Sequence, residues 1–553
     1  MKASRLLTGL ALAGLVASIG CFDRDLTDIR PGTTTGVTIR VEQIGVVKVD
    51  IVVLVDNSGS MQQEQSALTL RFPELIAELV DPPTDPATGR LVHPPVEDLN
   101  IGVITPDMGT MGLTVGTCSN ADIGDNGCFR NTGSPVIGTC SASYPSILSR
   151  NASNAATYSP DQMAADFTCI ATLGTNGCGF EQQFKAMRQA TTTNTAVGAC
   201  NAGFLRTDSL VALIFVTDEE DCSVRPDHPE MFDQSRTELG HLNIRCFSHP
   251  EFVEEWSEYV TAFRSLRPAE EQDRIVLGMI IGVPPDAPQC IGPGNELTGC
   301  LDVPAMMEQI DPLTPSQLIP SCNTSMGLAF PPRRFINVAQ AFGSNAYVDS
   351  ICKTDWSDAI RGITDKLVER LPSTCFPRDL TFDEATCTAD CKVIETLNSN
   401  RDCPADPVCI NCPPATVDDI HNLAPCTDAG GATCEPLKRD LGLIIYSDGS
   451  ERRLCLVRQA TRTPTGDTCS APVGGLEGWY YTPRAQSEDD CPQVTFSAGT
   501  TGSLIGDGSS AELRCLSELC PADRACGPVG DPTSVCCTDT EECIGGVCQP
   551  LEP

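Results

Sequence analysis

Two short polar segments carry the residues best suited to chemistry in this chain. Asp56, Ser58 and Ser60 alternate with small residues in the run Asp-Asn-Ser-Gly-Ser, directly after a stretch of aliphatic residues. Asp218 comes shortly after another aliphatic stretch. Hydroxyl and carboxylate oxygens suit hard divalent cations, Mg²⁺ more than Zn²⁺. The two segments together therefore predict a divalent-cation site built from oxygen ligands.

Each polar segment follows a predicted buried strand. Residues 47–55 and 210–216 are near-continuous β-branched and aliphatic runs, which is typical of parallel strands covered on both faces. Further strands are predicted at 99–105 and 274–282, with amphipathic helices between them. This alternation indicates an α/β domain with a mostly parallel sheet. Ligands of such sheets bind beyond the carboxyl ends of the strands where the strand order reverses, so the two polar segments should converge there.

The pattern Asp-x-Ser-x-Ser after one strand, with Thr-Asp after another, resembles the metal-ion-dependent adhesion site of the von Willebrand factor type A (vWA) domain. The resemblance covers roughly residues 47–371 and implies a Rossmann-like, doubly wound fold. It also implies that Ser58 and Ser60 bind the metal directly, whereas Asp56 and Asp218 act largely through water. One coordination position would stay open for a carboxylate from a partner.

The resembled family also places a threonine from a middle loop at the metal. Thr175, in a Gly-Thr-Asn-Gly run before a predicted helix, is our first choice, and Thr105 at the end of a predicted strand is its competitor. The implied ion is Mg²⁺, with Ca²⁺ or Mn²⁺ as alternatives. Glu219, Glu220 and Asp221 depart from the commoner Thr-Asp-Gly pattern. They could repel an acidic partner, add a second cation site or be solvated, and we favour the solvated interpretation.

The net charge and the cysteine content argue against some classes of protein and indicate a cellular compartment. The chain has 553 residues, with 37 Lys and Arg against 73 Asp and Glu, and a net charge of −36. This excess of carboxylates argues against a nucleic-acid-binding protein. The 31 cysteines predict an oxidising compartment outside the cytosol. Apart from Cys21, they divide into two even groups, from Cys118 to Cys352 and from Cys375 to Cys548, so each group can close its own disulfides.

The N-terminal residues predict export and lipid anchoring. Residues 1–20 combine a basic start, an apolar run at 6–17 and small residues before Cys21, which resembles a bacterial lipobox. That resemblance implies that Cys21 is acylated, with residues 21–46 as a tether and the lipid as the contact with the membrane. We expect a cell-envelope, outer-membrane lipoprotein and leave its periplasmic or surface face open. The alternative is an ordinary signal peptide cut near Gly20.

The remaining organisation follows from length and composition. Six βα units of about 30 residues would need only about 180 residues, so the domain at 47–371 must carry large insertions. We assign disulfide-rich insertions to 106–200 and 284–335. Residues 372–553 form a cysteine-rich, β-leaning region, with a possible small module at 520–548.

No other pattern predicts chemistry. The five histidines form no zinc or catalytic motif, and Cys409-Ile-Asn-Cys412 is expected to be structural in an exported chain. We therefore expect that the protein is not an enzyme and binds a protein or polymer partner through a divalent cation, in adhesion or envelope assembly. The alternative is a structural envelope lipoprotein in which the disulfide-rich modules bind and the metal site is degenerate.

Overall fold

The computed structural model describes much of the chain from residue 34 onward. The described residues are 34–41, 48–84, 93, 95–325, 327–371, 380–420, 423–460, 462–465, 468–470, 477–487, 492–497, 504–505, 509–518, 525–526, 535–536, 541–544 and 547–550. Cys21, the proposed signal peptide and most of the proposed tether lie outside these residues, as does most of the possible module at 520–548.

The first part of the chain alternates strands with helices. Its strands are β1 (Thr34–Val41), β2 (Lys48–Val55), β3 (Asp98–Ile104), β4 (Leu148–Arg150), β5 (Leu210–Val216), β6 (Ile275–Ile281), β7 (Gly292–Pro293), β8 (Cys322–Thr324), β9 (Gly327–Ala329) and β10 (Ala346–Ser350). Its helices are α1 (Glu64–Val80), α2 (Pro160–Ala171), α3 (Gln183–Thr191), α4 (Arg245–Ser248), α5 (Trp256–Arg264), α6 (Arg333–Phe342) and α7 (Ser357–Val368).

Seven of these strands form one mixed sheet in the order β4-β3-β2-β5-β6-β10-β7. The five inner strands run parallel, and the short strands β4 and β7 add antiparallel edges. Along β2, Ile51 and Val53 face one apolar core and Val52 and Leu54 face the other. Helices α1, α2 and α7 pack in the first core, and α3, α5 and α6 in the second. The α/β architecture predicted from the aliphatic runs is therefore confirmed as a mixed sheet with helices on both faces.

Part of the segment assigned to the 106–200 insertion belongs to this central structure. It supplies β4 to the sheet edge, and α2 contributes Met163 and Phe167 to the first core. A local signal for α2 was present, because Ser159 precedes Pro160 and its side chain accepts a hydrogen bond from the Gln162 amide at 3.2 Å. The surrounding cysteine-rich loops obscured the helix in the sequence.

Eleven disulfides join described cysteines, as the cysteine content predicts. The twelve cysteines of the first group pair entirely among themselves, as Cys118–Cys178, Cys128–Cys200, Cys140–Cys169, Cys222–Cys246, Cys290–Cys300 and Cys322–Cys352. The second group forms Cys387–Cys469, Cys391–Cys515, Cys403–Cys455, Cys409–Cys434 and Cys412–Cys426. The Cys409-x-x-Cys412 pair is thus structural, although both sulfurs lie close to that of Cys426. Among the described helices, none is both long and apolar enough to cross a membrane.

The C-terminal part is rich in β-structure, as predicted. Its strands are β11 (Phe382–Asp383), β12 (Thr388–Ala389), β13 (Cys391–Thr396), β14 (Cys426–Thr427), β15 (Thr433–Cys434), β16 (Lys438–Ile445), β17 (Glu451–Val457), β18 (Pro464–Thr465), β19 (Thr468–Cys469), β20 (Gly478–Thr482), β21 (Gln493–Ser497), β22 (Ser510–Glu518), β23 (Ala525–Cys526), β24 (Val535–Cys536), β25 (Glu541–Ile544) and β26 (Val547–Pro550).

A five-stranded antiparallel sheet in this part has the order β1-β22-β13-β17-β16. Strand β1 lies in the segment expected to be a tether, and it pairs with β22 from Thr34 opposite Glu518 to Val41 opposite Ala511. The mixed sheet and its helices therefore lie in the chain between β1 and β13, two strands of the C-terminal sheet that are separated by β22.

Cys391 lies directly opposite Cys515 in the pairing of β13 with β22, and their disulfide spans 124 positions. We expect the double variant Cys391→Ser/Cys515→Ser to destabilise the C-terminal sheet by about 4 kcal/mol, because the unfolded chain regains the freedom that the link removes. Hydrogen exchange should show reduced protection in β13 and β22 with unchanged protection in β2 and β5. Equal loss of protection in both sheets would contradict this local effect.

Candidate metal centre

The two polar segments meet at the carboxyl edge of the mixed sheet, between β2 and β5. The chain passes from β2 to its neighbour β3 on one side and later enters β5 on the other side, so the strand order reverses here. The Asp56 amide donates to the Val216 carbonyl at 3.0 Å, and the Thr217 hydroxyl donates to Asp56 Oδ2 at 2.7 Å. Residues 161 positions apart are thus in direct contact, as the strand pattern predicts.

Asp56 shapes the loop that carries the two serines. Its carboxylate is fully buried, and Oδ1 accepts the Ser58 amide at 2.9 Å while Oδ2 accepts the Thr217 hydroxyl. The side-chain amide of Gln65 in α1 donates to the Asp56 carbonyl at 2.9 Å. Burial raises the pKa of Asp56, and the hydrogen bonds from Ser58 and Thr217 oppose that shift. Asp56 is therefore placed to hold the loop rather than to contact a ligand directly.

Ser58 and Ser60 present two hydroxyl oxygens side by side. The two Oγ atoms are 3.0 Å apart, and both residues line a cleft. Neighbouring ligands of an octahedral Mg²⁺ lie about 3.0 Å apart, since each Mg–O distance is about 2.1 Å. The spacing of these two oxygens therefore fits two adjacent ligand positions around Mg²⁺, and the side chains need not move to reach it.

Asp218 brings a buried carboxylate to this edge of the sheet. Its side chain is fully buried, and neither carboxylate oxygen has a hydrogen-bond partner among the described residues. Burial raises its pKa well above the usual range, and the charges of Asp56 and Glu219 add to the shift. The Ser60 hydroxyl lies beside the Asp218 carboxylate and partly opposes this rise in pKa, although the two groups do not have the geometry of a hydrogen bond. A buried carboxylate without partners is costly, and a cation would satisfy it.

Three further carboxylates lie around the Asp218 side chain, and two of them come from outside the sequence motif. Glu181, just before α3, has a pKa raised well above its usual value by burial, then by the charges of Asp56 and Glu219. Burial and the Asp56 charge raise the pKa of Glu219 to about 8. Glu64 in α1 is fully buried with both oxygens unpartnered in the described structure, and burial raises its pKa to about 7. Single glutamates in a loop and a helix gave no sequence signal.

The two threonine candidates occupy different positions. Thr105 is fully buried, and its hydroxyl donates to Asp125 Oδ2 at 2.7 Å. Thr175 is half-buried in the loop between α2 and α3. In the same loop, the Gly177 amide donates to the Asn57 carbonyl at 2.7 Å, so the loop abuts the serine segment. Neither threonine is among the described residues that line the cleft, whereas Glu181 is, and a metal-binding role for Thr175 stays a prediction.

The interpretation of the acidic run as solvated is wrong. Asp221 is fully buried, accepts the Phe184 amide at 2.8 Å and forms an ion pair with Arg334 at 3.1 Å. Glu220 is half-buried and accepts the Arg334 amide at 2.7 Å. These two acids fasten α3 and α6 to the loop after β5, and Glu219 is the one that faces the Asp56 carboxylate.

Comparison with known proteins adds no identification. No protein family and no curated protein matches the chain. Among solved structures, proximal thread matrix protein 1 from the mussel byssus is 12% identical over 44% of this chain and 39% of its own, with a TM-score of 0.19. The pilus adhesin RrgA from Streptococcus pneumoniae is 11% identical over 87% of this chain and 58% of its own, with a TM-score of 0.21. The chain spans less than two thirds of either protein, and neither likeness carries an argument.

Proposed function

We propose that this protein is an exported, lipid-anchored, vWA-like protein that binds a partner through a divalent cation, with Mg²⁺ as the preferred ion. The observation that carries the proposal is the fully buried Asp218 carboxylate with two unpartnered oxygens, next to the paired hydroxyls of Ser58 and Ser60. The reversal of strand order at this edge supports a Rossmann-like, doubly wound arrangement.

Each residue of the site would have a different role in holding such an ion. Ser58 and Ser60 would bind the ion through their hydroxyls, and the Asp218 carboxylate would offset part of its positive charge. Asp56 would keep the serine loop in place through the hydrogen bonds that it already makes. A bound divalent cation supplies an electron-poor centre that attracts a carboxylate. Because neutral hydroxyls leave the ion most of its charge, a carboxylate on a protein or polymer partner is the expected ligand.

The setting of this site supports a role in adhesion or envelope assembly. The eleven disulfides between described cysteines indicate an oxidising compartment outside the cytosol. The lipobox-like sequence before Cys21 suggests an acyl anchor, and we place the protein in the outer membrane on that basis.

Calorimetric titration of the full chain with Mg²⁺ tests the site directly. We expect one ion to bind the native protein, and the variant Ser58→Ala/Ser60→Ala to weaken that binding at least about 100-fold, since both direct ligands are lost. The matched control is Ser141→Ala/Ser143→Ala, an exposed Ser-x-Ser pair in another loop, which should bind as the native protein does. Equal Mg²⁺ affinity in the two variants would refute the proposal.

One observation favours a second candidate, in which the C-terminal sheet binds the partner and the metal site is degenerate. Strand β16 lies at the edge of that sheet, and Leu443, Ile444 and Ile445 are 45%, 40% and 69% exposed. Unpaired edge strands with aliphatic side chains are suited to pairing with another chain. Partner capture that persists in a chelator and disappears in Ile444→Lys/Ile445→Lys would favour this alternative.

A further inference from the structure

We propose that a pocket between the mixed sheet and the C-terminal sheet binds a small, hydroxylated phosphate ester. The pocket lies before the amino ends of β5 and β6, at the edge of the mixed sheet opposite the candidate metal centre. Its volume of about 360 Å³ lies within the range of roughly 300–1,000 Å³ that is typical of ligand sites. The lining comes from the segments that precede these two strands, from the turn between β16 and β17, and from β17 itself.

The turn between β16 and β17 contacts the mixed-sheet part of the chain directly. The Ser447 hydroxyl accepts the Ala269 amide at 2.9 Å and donates to Glu270 Oε2 at 3.0 Å. In β17, Arg452 lies over the ring of Tyr446, with its guanidinium carbon 5.4 Å from the ring centroid. Each part of the chain therefore supplies one side of the pocket, and a ligand in it would touch both.

Arg267 places a buried positive charge in the pocket wall without a carboxylate beside it. The residue is only 4% exposed, and its guanidinium donates to the Ser209 hydroxyl and to the backbone carbonyls of Arg206, Ser209 and Leu266. No carboxylate among the described residues lies within ion-pair distance of it. Burial lowers the pKa of Arg267 to about 10, and the charge of Arg274 adds to this shift while more distant carboxylates oppose it. An anion in the pocket would stabilise this charge at closer range.

Three polar side chains of the lining make no hydrogen bond to any residue that the structure describes. They are the Arg452 guanidinium, the Gln272 amide and the Thr207 hydroxyl. Arg452 Nε is also buried. On the rim, the Asp448 carboxylate accepts the Ser450 amide at 2.8 Å, and the charge of Arg452 acts on it from beyond ion-pair distance. In a chain with a net charge of −36, the pocket thus has two arginines against one aspartate, together with unused donors.

The number of donors favours a phosphate ester over a carboxylate. The guanidinium fork of Arg452 fits two oxygens of either group, so it does not discriminate between them. A phosphate monoester has three terminal oxygens and a charge of about −1.5 to −2 at pH 7, so it has an acceptor for each of Arg452, Gln272 and Thr207. A carboxylate has two oxygens and a single charge. The Asp448 carboxylate would repel a second acid but would accept a hydrogen bond from a hydroxyl, which favours a hydroxylated ester.

Calorimetric titration of the full chain with sn-glycerol 3-phosphate in a chelator tests this site, since the chelator removes any cation from the candidate metal centre. We expect one molecule to bind each chain. Glycerate, which carries a carboxylate instead of a phosphate, should bind at least about tenfold more weakly, because it leaves donors of the pocket unused. Inorganic phosphate, which lacks the hydroxylated group, should also bind more weakly than the ester.

Two variants, each with a matched control, test the residues. Arg452→Gln removes the free guanidinium and Gln272→Glu adds a negative charge with little change of shape, so each should weaken glycerol 3-phosphate binding at least about tenfold. Arg361→Gln at an exposed position of α7 and Gln309→Glu in an exposed loop make the same charge changes elsewhere and should bind as the native protein does. Thermal unfolding verifies that each variant folds.

Several results would overturn the proposal. One is the absence of glycerol 3-phosphate binding in chelator, and another is equal or tighter binding of glycerate or inorganic phosphate. Native affinity in the Gln272→Glu protein would overturn it as well, and that variant keeps the test decisive if Arg452→Gln destabilises the turn.

Vesicles distinguish a lipid headgroup from a free ester as the source of the phosphate. The chain carries Cys21→Ser in this experiment, so that an acyl group cannot hold it to the membrane. Sedimentation with phosphatidylcholine vesicles that contain phosphatidic acid, but not with phosphatidylcholine alone, would assign the site to a headgroup if Arg452→Gln abolishes it. Binding of glycerol 3-phosphate without sedimentation would assign the site to a free ester. Either result supports the phosphate site.

Discussion

Replacement of Asp218 with asparagine is expected to weaken Mg²⁺ binding at least about 100-fold, or about 2.7 kcal/mol, and to stabilise the metal-free protein. Both effects have one cause. The Asp218 carboxylate is fully buried without a hydrogen-bond partner in the described structure, and it faces the charges of Asp56 and Glu219. Asparagine removes the charge that a cation needs and, in the metal-free protein, the cost of burying an ionisable carboxyl group among other carboxylates.

Calorimetry and thermal unfolding in a chelator measure these two effects together. We expect the Asp218→Asn protein to unfold a few degrees above the native protein in chelator, and below it when Mg²⁺ is saturating. The matched control is Asp273→Asn, an exposed aspartate just before β6, at the opposite edge of the sheet. Asp273→Asn should change neither the Mg²⁺ affinity nor the melting temperature in chelator. A variant that binds Mg²⁺ normally, or one that is less stable than the native protein in chelator, would argue against a cation site.

In the absence of divalent cations, the protein is expected to lose stability as the pH rises from 5 to 9. Burial raises the pKa of Glu219 and Glu220 to about 8 and that of Glu64 to about 7, from a usual value of 4.5. The folded state therefore holds protons that the unfolded state has released, and stability is lost across the interval between the two pKa values. We expect the melting temperature in chelator to fall by about 5 °C or more between pH 5 and pH 9.

Saturating Mg²⁺ should recover most of this loss at pH 8, because the ion binds the ionised form of the folded site. The variant Glu219→Gln should flatten the pH dependence in chelator, since it removes one of the groups that titrate. The exposed Glu296→Gln variant is the control and should retain the native slope. A melting temperature that is constant or rises between pH 5 and pH 9 in chelator would show that these carboxylates do not titrate as their burial requires.

Local patterns in the sequence were sufficient for the framework of the site. The aliphatic runs at 47–55 and 210–216 correspond to β2 and β5, because strands buried on both faces need continuous apolar residues. The Asp-x-Ser-x-Ser spacing placed Ser58 and Ser60 on one loop, and the rule of strand reversal brought that loop to the end of β5. The even cysteine count of the first group matched six disulfides that close within it.

The remaining residues around the site, and the pairing of β1, depend on contacts between segments that are far apart in the chain. Only the folded structure shows which of these segments meet. The hydroxyl of Thr105 is bound by Asp125, while Glu181 faces the charges of Asp56 and Asp218 from a loop without a motif. Asp218 and Asp221 are both fully buried, but among the described residues only Asp221 has partners, because the Phe184 amide and the Arg334 side chain reach it. Likewise, β1 joins a sheet whose other strands follow hundreds of residues later, since backbone pairing between strands requires proximity in space and not in sequence.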